Sequence, residues 1–334
     1  MSCRISGNSF LLENVYVEKV ATSAGKIEGQ GPIGNYFDIV YHDHYLGKDS
    51  YELAEIAMLD DACDIVMQKA KIKQDDIDLF IGGDLNNQIT AINYFCKRIK
   101  RPLYGIYSAC ATMGQGIQQA SLFLENKSME RILVMVSSHN ACAERQFRYP
   151  NEYGIQKPIT TTFTATGAVS VLLTNSPTKV RIGAITMGRV IDMLQTNPND
   201  MGKAMAPSAF DTLKNHLKDL NRSADYYDLI VTGDLSNYGK NIMEVLMDRD
   251  GMKAKQYHDC GCLLYETTQV VFQGGSGPTC SALVTFGYLY QKLLQGSYQK
   301  ILVLPTGALL NPIMTNQKQS IPCICHAFSL EVTQ

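Results

Sequence analysis

The sequence predicts a layered α/β fold built from a duplicated unit. The first observation is an internal echo: Asp78-Leu79-Phe80-Ile81-Gly82-Gly83-Asp84-Leu85 returns as Asp228-Leu229-Ile230-Val231-Thr232-Gly233-Asp234-Leu235. The second is a later pair in the same order, Glu130-Arg131-Ile132-Leu133-Val134-Met135-Val136-Ser137 against Gln299-Lys300-Ile301-Leu302-Val303-Leu304-Pro305-Thr306. Two matched blocks in one order indicate duplication. The third is the alternation of helical periodicity with short apolar runs, which implies mostly parallel sheets. Two such units suggest two stacked sheets sharing a helical layer, divided at residues 1–175 and 176–334.

The elements follow in order. Ile56, Leu59, Cys63, Val66 and Ala70 recur at three- and four-residue steps, which predicts an amphipathic helix. Asp49 with Glu52 three residues on is read as its capping pair. Asp78–Ile81 and Leu103–Tyr107 read as buried strands, and Met113–Leu124 as a helix with Ile117, Ala120 and Leu124 on one face. The apolar, β-branched run Thr162–Thr174 reads as one long central strand. Asn175-Ser176-Pro177-Thr178 is the turn between the copies.

Composition narrows the function. Hydrophobic residues make up 45% and charged residues 19% of 334, as in an ordinary folded protein. The formal net charge of −2 leaves no basic surplus for nucleic acid or an anionic bilayer. Ile132–Val136 is far too short to cross a membrane, and the N-terminus lacks a signal-peptide layout. The ten cysteines therefore read as reduced thiols. Cys260-Gly261-Cys262 and Cys323-Ile324-Cys325-His326 lack the paired spacing of structural zinc sites, so no metal is expected. Gly114-Gln115-Gly116 and Gly275-Ser276-Gly277 lack the third glycine of a dinucleotide fingerprint.

The sharpest local feature is Tyr107-Ser108-Ala109-Cys110-Ala111-Thr112-Met113-Gly114, a cysteine between a strand and a helix start. A helix N-terminus lowers a thiol pKa and favours an anion beside it, so Cys110 reads as a nucleophile or the floor of an anion pocket. The plain structural alternative is a small buried thiol in a tight turn. Cys110 lies 21 residues before Arg131, and Thr279 lies 21 before Lys300. Thr279 belongs to Gly274-Gly275-Ser276-Gly277-Pro278-Thr279-Cys280-Ser281, a second glycine-rich turn that duplication would place opposite the first. His258 lies upstream, where a satisfied loop histidine is the alternative.

Ser108-Ala109-Cys110-Ala111, the duplicated unit, and a late histidine followed by a glycine-rich turn resemble the thiolase and ketoacyl-synthase superfamily. Within it, four stretches are similar to the stage V sporulation AD family: Ser137–Ala141, Ala143–Pro150, Gly202 with Ala204-Met205-Ala206-Pro207, and Thr306–Leu310. The resemblance implies a five-layered α-β-α-β-α thiolase-like fold used for binding. It implies dipicolinic acid (pyridine-2,6-dicarboxylate) or its calcium chelate as ligand, with no resident cofactor. Uptake into the developing spore is the implied role, with small membrane proteins as partners. A soluble chain peripheral to the spore inner membrane and a homodimer are likewise implied.

The catalytic set of that superfamily is incomplete here. Cys110 and His258 match the nucleophile and first histidine as remnants, but Pro278 stands where an asparagine is needed and can donate no hydrogen bond. Cys323-Ile324-Cys325-His326 likewise lacks the glycines of the closing loop. Losing one oxyanion donor costs about two to three orders of magnitude in rate. The expectation is a binding protein; the alternative is a ketoacyl-synthase III-type acyltransferase using Cys110. A planar dianion calls for bidentate donors and helix N-termini. The expected ligand-binding residues are Cys110, His258, Arg145, Arg148, Glu144, Gly277 and Thr279. Arg148 is assigned to the pocket, whereas Arg145 is open between the pocket and a dimer interface where Glu144 and Glu152 would pair it. Tyr149 would stack on the ligand and Lys157 would add charge.

Overall fold

The computed structural model describes residues 4–148 and 156–333. The main elements through residue 174 are β1 (Tyr16–Ala24), α1 (Tyr51–Ala70), β2 (Leu79–Gly83), α2 (Thr90–Ile99), β3 (Leu103–Gly105), α3 (Thr112–Glu125), β4 (Arg131–Ser138), α4 (Asn140–Phe147) and β5 (Gly167–Thr174). They are followed by β6 (Val180–Thr186), α5 (Met201–Asp219), β7 (Leu229–Thr232), α6 (Ser236–Arg249), β8 (Tyr257–Asp259), α7 (Pro278–Ala282), β9 (Lys300–Leu304) and β10 (Ala327–Val332). Helix α7 continues through a π-helical stretch, Leu283–Leu289, into Tyr290–Leu294.

One strand order occurs twice. The strands run β3-β2-β4-β5-β1 in the first set and β8-β7-β9-β10-β6 in the second. Within the first, β4 is parallel to β2 and β2 to β3, whereas β5 is antiparallel to both β1 and β4. The second copies this pattern strand for strand. The sheets are thus more mixed than expected, because a buried apolar run reads the same in either direction. Arg181 pairs with Tyr16 where the sets meet edge to edge, and the Ile182 N–H donates to the Val15 carbonyl beside it at 2.9 Å.

The side-chain alternation of each strand builds the layers. Phe80, Leu133 and Met135 pack outward with Met58, Leu59 and Val66 of α1 and Phe95 of α2. Their neighbours Ile81, Ile132, Val134 and Val136 face the middle, with Met113, Ile117 and Leu124 of α3, Leu283, Phe286, and Leu229, Val231, Ile301 and Val303 of the second set. Ile230, Leu302 and Leu304 face the far side, against Met205, Ala209 and Leu213 of α5 and Met243 of α6. Helix, sheet, helix, sheet and helix layers follow from these three apolar clusters, with α3 and α7 in the centre touching one another.

Two local expectations change. Ser50, not Asp49, caps α1: its Oγ accepts the Leu53 N–H at 3.2 Å, and Glu52 instead pairs with Arg145. The predicted strand Thr162–Thr174 is broken. Phe163–Thr164 pairs with Gly275–Ser276 while Gly167–Thr174 joins the main sheet. Asn140 helps hold the break, donating its backbone N–H to Thr166 Oγ1 at 2.9 Å and its Nδ2–H to the Thr164 carbonyl at 3.1 Å, while Glu28 Oε1 accepts the Thr166 N–H at 3.0 Å. The break carries Thr164, Ser276 and Gly277 to the Cys110 turn.

Candidate functional site

Cys110 lies in the 3-10 turn Ala109–Ala111 that opens α3. The turn is tightly specified. Thr112 Oγ1 donates to the Ala109 carbonyl at 2.6 Å and accepts the Ser108 N–H at 3.1 Å. Ala109 is held at φ 49°, a left-handed conformation that is costly for a residue with a Cβ. Gly307 presses on the turn so closely that an added Cβ would lie 2.2 Å from the Ser108 carbonyl oxygen and 3.3 Å from the Cys110 nitrogen.

Above Cys110 lies a narrow pocket whose ≈ 420 Å³ includes its open, solvent-filled mouth. Leu85, Tyr107, Phe147, Met201 and Leu310 form its apolar walls, with Arg148, Thr164, Ser276 and Gly277 supplying polar groups. A second, more open depression shares Leu85, Tyr107, Phe147 and Leu310 with it and is faced by Asn86, Asn87, Gln88, Gln146 and Asn311. A carboxamide-rich depression thus adjoins the Cys110 pocket across those four residues.

The charge on the cavity wall is arranged around Glu144 of α4. Arg148 Nη1 donates to Glu144 Oε1, and Lys157 Nζ lies 3.0 Å from Glu144 Oε2. The Arg148 and Glu144 side chains are each only 7% exposed. Arg148 Nε is buried with no hydrogen-bond partner among the described residues. Two cations therefore share one carboxylate, which leaves one guanidinium N–H of Arg148 unsatisfied among the described residues.

Beneath the cavity, burial and the Asp234 carboxyl push the Cys110 thiol well above its ordinary pKa, against the Gly277 N–H and the helix start. This overturns the expectation of a lowered thiol pKa: desolvation outweighs the helix terminus. Asp234, on the loop after β7, is itself held well above the carboxylate range by burial. Its Oδ2 accepts a long 3.4 Å bond from the Gly277 N–H, and Oδ1 is buried with no hydrogen-bond partner among the described residues. Burial thus disfavours charge on both groups at the floor of the site.

The expected site residues divide. Cys110, Arg148 and Gly277 line the cavity, Glu144 orients Arg148, and Lys157 stands behind Glu144. Gly277 is at φ +95°, where a Cβ would also approach Thr164 Cγ2 to 3.0 Å. Thr279 lies one turn deeper, donating to the Ala165 carbonyl at 3.1 Å and bonded to Ser138. Arg145 points away, to Glu52 and across the Tyr51 ring at 6.0 Å. Tyr149 and Glu152 lie outside the described residues.

His258 is not brought to the cavity. It is exposed on the edge strand β8, and alternation turns its neighbour Asp259 inward. Asp259 accepts Thr232 Oγ1 at 2.7 Å and the N–H groups of Leu235, Ser236 and Gly261 at 2.8–2.9 Å, which fixes the loop bearing Asp234. Sequence reasoning missed both aspartates, although Asp84 and Asp234 occupy the same place in the repeat. Among the described residues no three His, Cys, Asp or Glu side chains converge as a metal set, and no helix is long and apolar enough to cross a membrane.

Layers, repeated strand order and a cysteine at a central helix start define a thiolase-like fold. Solved structures agree over nearly the whole chain. The 3-oxoacyl-[acyl-carrier-protein] synthase III of Aquifex aeolicus VF5 superposes with TM-score 0.59 at 11% identity, covering 95% of this chain and 99% of that one. Cerulenin-bound OleA of Xanthomonas campestris gives 0.61 at 12% identity, covering 96% and 98%. The chain belongs to the Stage V sporulation protein AD family, whose model matches residues 8–331. A relative of that name from Bacillus subtilis (strain 168) is 44% identical over 318 residues, 95% of this chain and 94% of the relative. This is a sporulation protein family, not one named for an enzymatic activity.

Proposed function

We propose that the Cys110 cavity binds dipicolinic acid, free or as its calcium chelate, and that the chain serves its uptake into the developing spore without catalysing a reaction. The observation that carries this reading is Arg148: buried on the cavity wall, paired to one carboxylate shared with Lys157, and left with an unpartnered Nε. A planar carboxylate is the complement of that guanidinium edge. Burial disfavours charge on the thiol and carboxyl below, which limits repulsion of an anion, and Tyr107, Phe147 and Leu310 offer apolar faces to a pyridine ring. In this role the chain would work at the spore inner membrane as a homodimer with small membrane proteins of the same sporulation set.

Acyl transfer is the competing reading, favoured by the strained turn that presents Cys110 at a helix start. Against it stand a thiol held protonated and the lack of a histidine among the lining residues. Isothermal titration of dipicolinic acid, with and without calcium, tests the proposal together with intact-mass analysis after incubation with acyl-CoA. Saturable binding and no adduct are expected. A stable acyl adduct on Cys110 with no dipicolinate heat at millimolar concentration would overturn it.

A further inference from the structure

Asp234 is a buried carboxyl that the structure does not use as buried carboxyls are ordinarily used. Its counterpart in the repeat, Asp84, accepts the N–H groups of Asn86 at 2.8 Å and Ile92 at 2.9 Å, so its oxygens organise the loop before α2. In the second copy that work has passed to Asp259, whose two oxygens accept four bonds around the same loop. Asp234 is released from it. Its side chain, fully buried, turns to the thiol of Cys110 and to the Gly277 N–H.

The titratable groups around Asp234 are Cys110 on the turn before α3, Asp259 at the end of β8, Cys260 just after it, and Cys280 on α7. Cys323 and Cys325, on the strand paired with Thr306–Ala308, also feel its charge. None of these is a cation. An ionised carboxylate here would have no counter-charge and few hydrogen bonds, a state that a protein interior disfavours strongly. An anion entering the cavity one residue above would make that state less favourable again.

We propose that Asp234 is the proton-holding residue of the anion site: its carboxyl remains protonated beneath Cys110 while an anion occupies the cavity, so that anion binding and the Asp234 proton are linked. This rests on the reading that the cavity takes a carboxylate. As the free protein loses the Asp234 proton at rising pH, binding must recover it, and affinity falls about tenfold per pH unit above that ionisation. Asp234 is a positioning residue in this account, acting through Cys110 and Gly277.

The test has two arms on the full chain and on Asp234→Asn, which keeps size and polarity. In the first, dipicolinate affinity is measured from pH 6 to 9.5, above the titration of the probe itself. Wild type is expected to weaken with rising pH and to take up protons on binding, whereas Asp234→Asn stays flat. A flat wild-type profile, or one that Asp234→Asn reproduces, overturns the inference. In the second arm, iodoacetamide alkylation of Cys110 in the free protein is followed by peptide mass mapping. With the neighbouring carboxylate gone, alkylation at pH 8.5 should be at least threefold faster in Asp234→Asn; equal rates overturn the coupling. If wild type binds no dipicolinate at any pH, the proposed function fails, and the alkylation arm still judges Asp234.

Discussion

Asp259 grips Ser236: one carboxylate oxygen accepts the Ser236 N–H at 2.8 Å, and the other accepts that of Leu235 at 2.9 Å. Ser236 sits at φ 57°, so this grip holds a left-handed turn that places Asp234 under Cys110. The residue that shapes the site from β8 is therefore Asp259, and its neighbour His258 faces solvent.

A pair of substitutions on β8 separates the two. Asp259→Asn replaces one accepting oxygen with a donor; at Oδ2, where Thr232 Oγ1 can turn to accept it, the amide nitrogen still opposes the Leu235 N–H, and the charge-assisted bonds at both oxygens weaken. A loss of about 2–4 kcal/mol is expected from the lost and weakened bonds, read as the urea midpoint. His258→Ala should stay within about 0.5 kcal/mol of wild type and leave dipicolinate affinity unchanged.

The thiol itself is a wall of the site rather than its anchor. Cys110→Ala is expected to weaken dipicolinate binding less than threefold by calorimetry. A loss of tenfold or more would move the ligand's main contact onto the sulfur.

Gly307→Ala should damage the site from below. Its Cβ would meet the Ser108 carbonyl oxygen, which is backbone and cannot swing aside. Destabilisation of about 1–3 kcal/mol is expected from the forced shift. Binding should fall with it, because the Cys110 turn must move.

Stability should decline between pH 6.5 and 8. Burial raises Glu55 to about 8 from its ordinary 4.5, with the neighbouring Asp84 carboxyl adding to the rise. Below pH 4.5 both folded and unfolded chains hold this proton. Above it the unfolded chain releases the proton first, so stability is lost progressively until the folded group ionises near 8. His216, depressed to about 3 by burial, acts at lower pH, where stability is lost as pH falls below 6.5. Thermal melts of Glu55→Gln at pH 6.5 and 8 should show a smaller drop than wild type; an equal drop would contradict this.

Much of the fold was legible because duplication leaves paired strings such as Gly83-Asp84-Leu85 and Gly233-Asp234-Leu235. Strand direction was not legible: Gly167–Thr174 is apolar on both faces, as either a parallel or an antiparallel central strand would be. Nor was the break at Ala165–Thr166, which depends on Asn140 and Glu28, residues distant in sequence. In the site, Arg148 and Arg145 are three residues apart on one short segment. Only the packing of α4 decides that one enters the cavity while the other meets Glu52. His258 and Asp259 differ by a single step of strand alternation, which three residues of edge strand cannot reveal from sequence.

The central claim is that the Arg148 guanidinium receives a ligand carboxylate. Parallel titrations of dipicolinic acid into wild type, Arg148→Gln and Arg145→Gln test it most directly, with Arg148→Lys as the charge-keeping control. The account predicts saturable binding to wild type and a loss of about ten- to a hundredfold in Arg148→Gln, as expected for a charge-assisted bond. Arg148→Lys should recover it in part, and Arg145→Gln should change affinity less than threefold. Equal affinity for wild type and a folded Arg148→Gln would contradict the account.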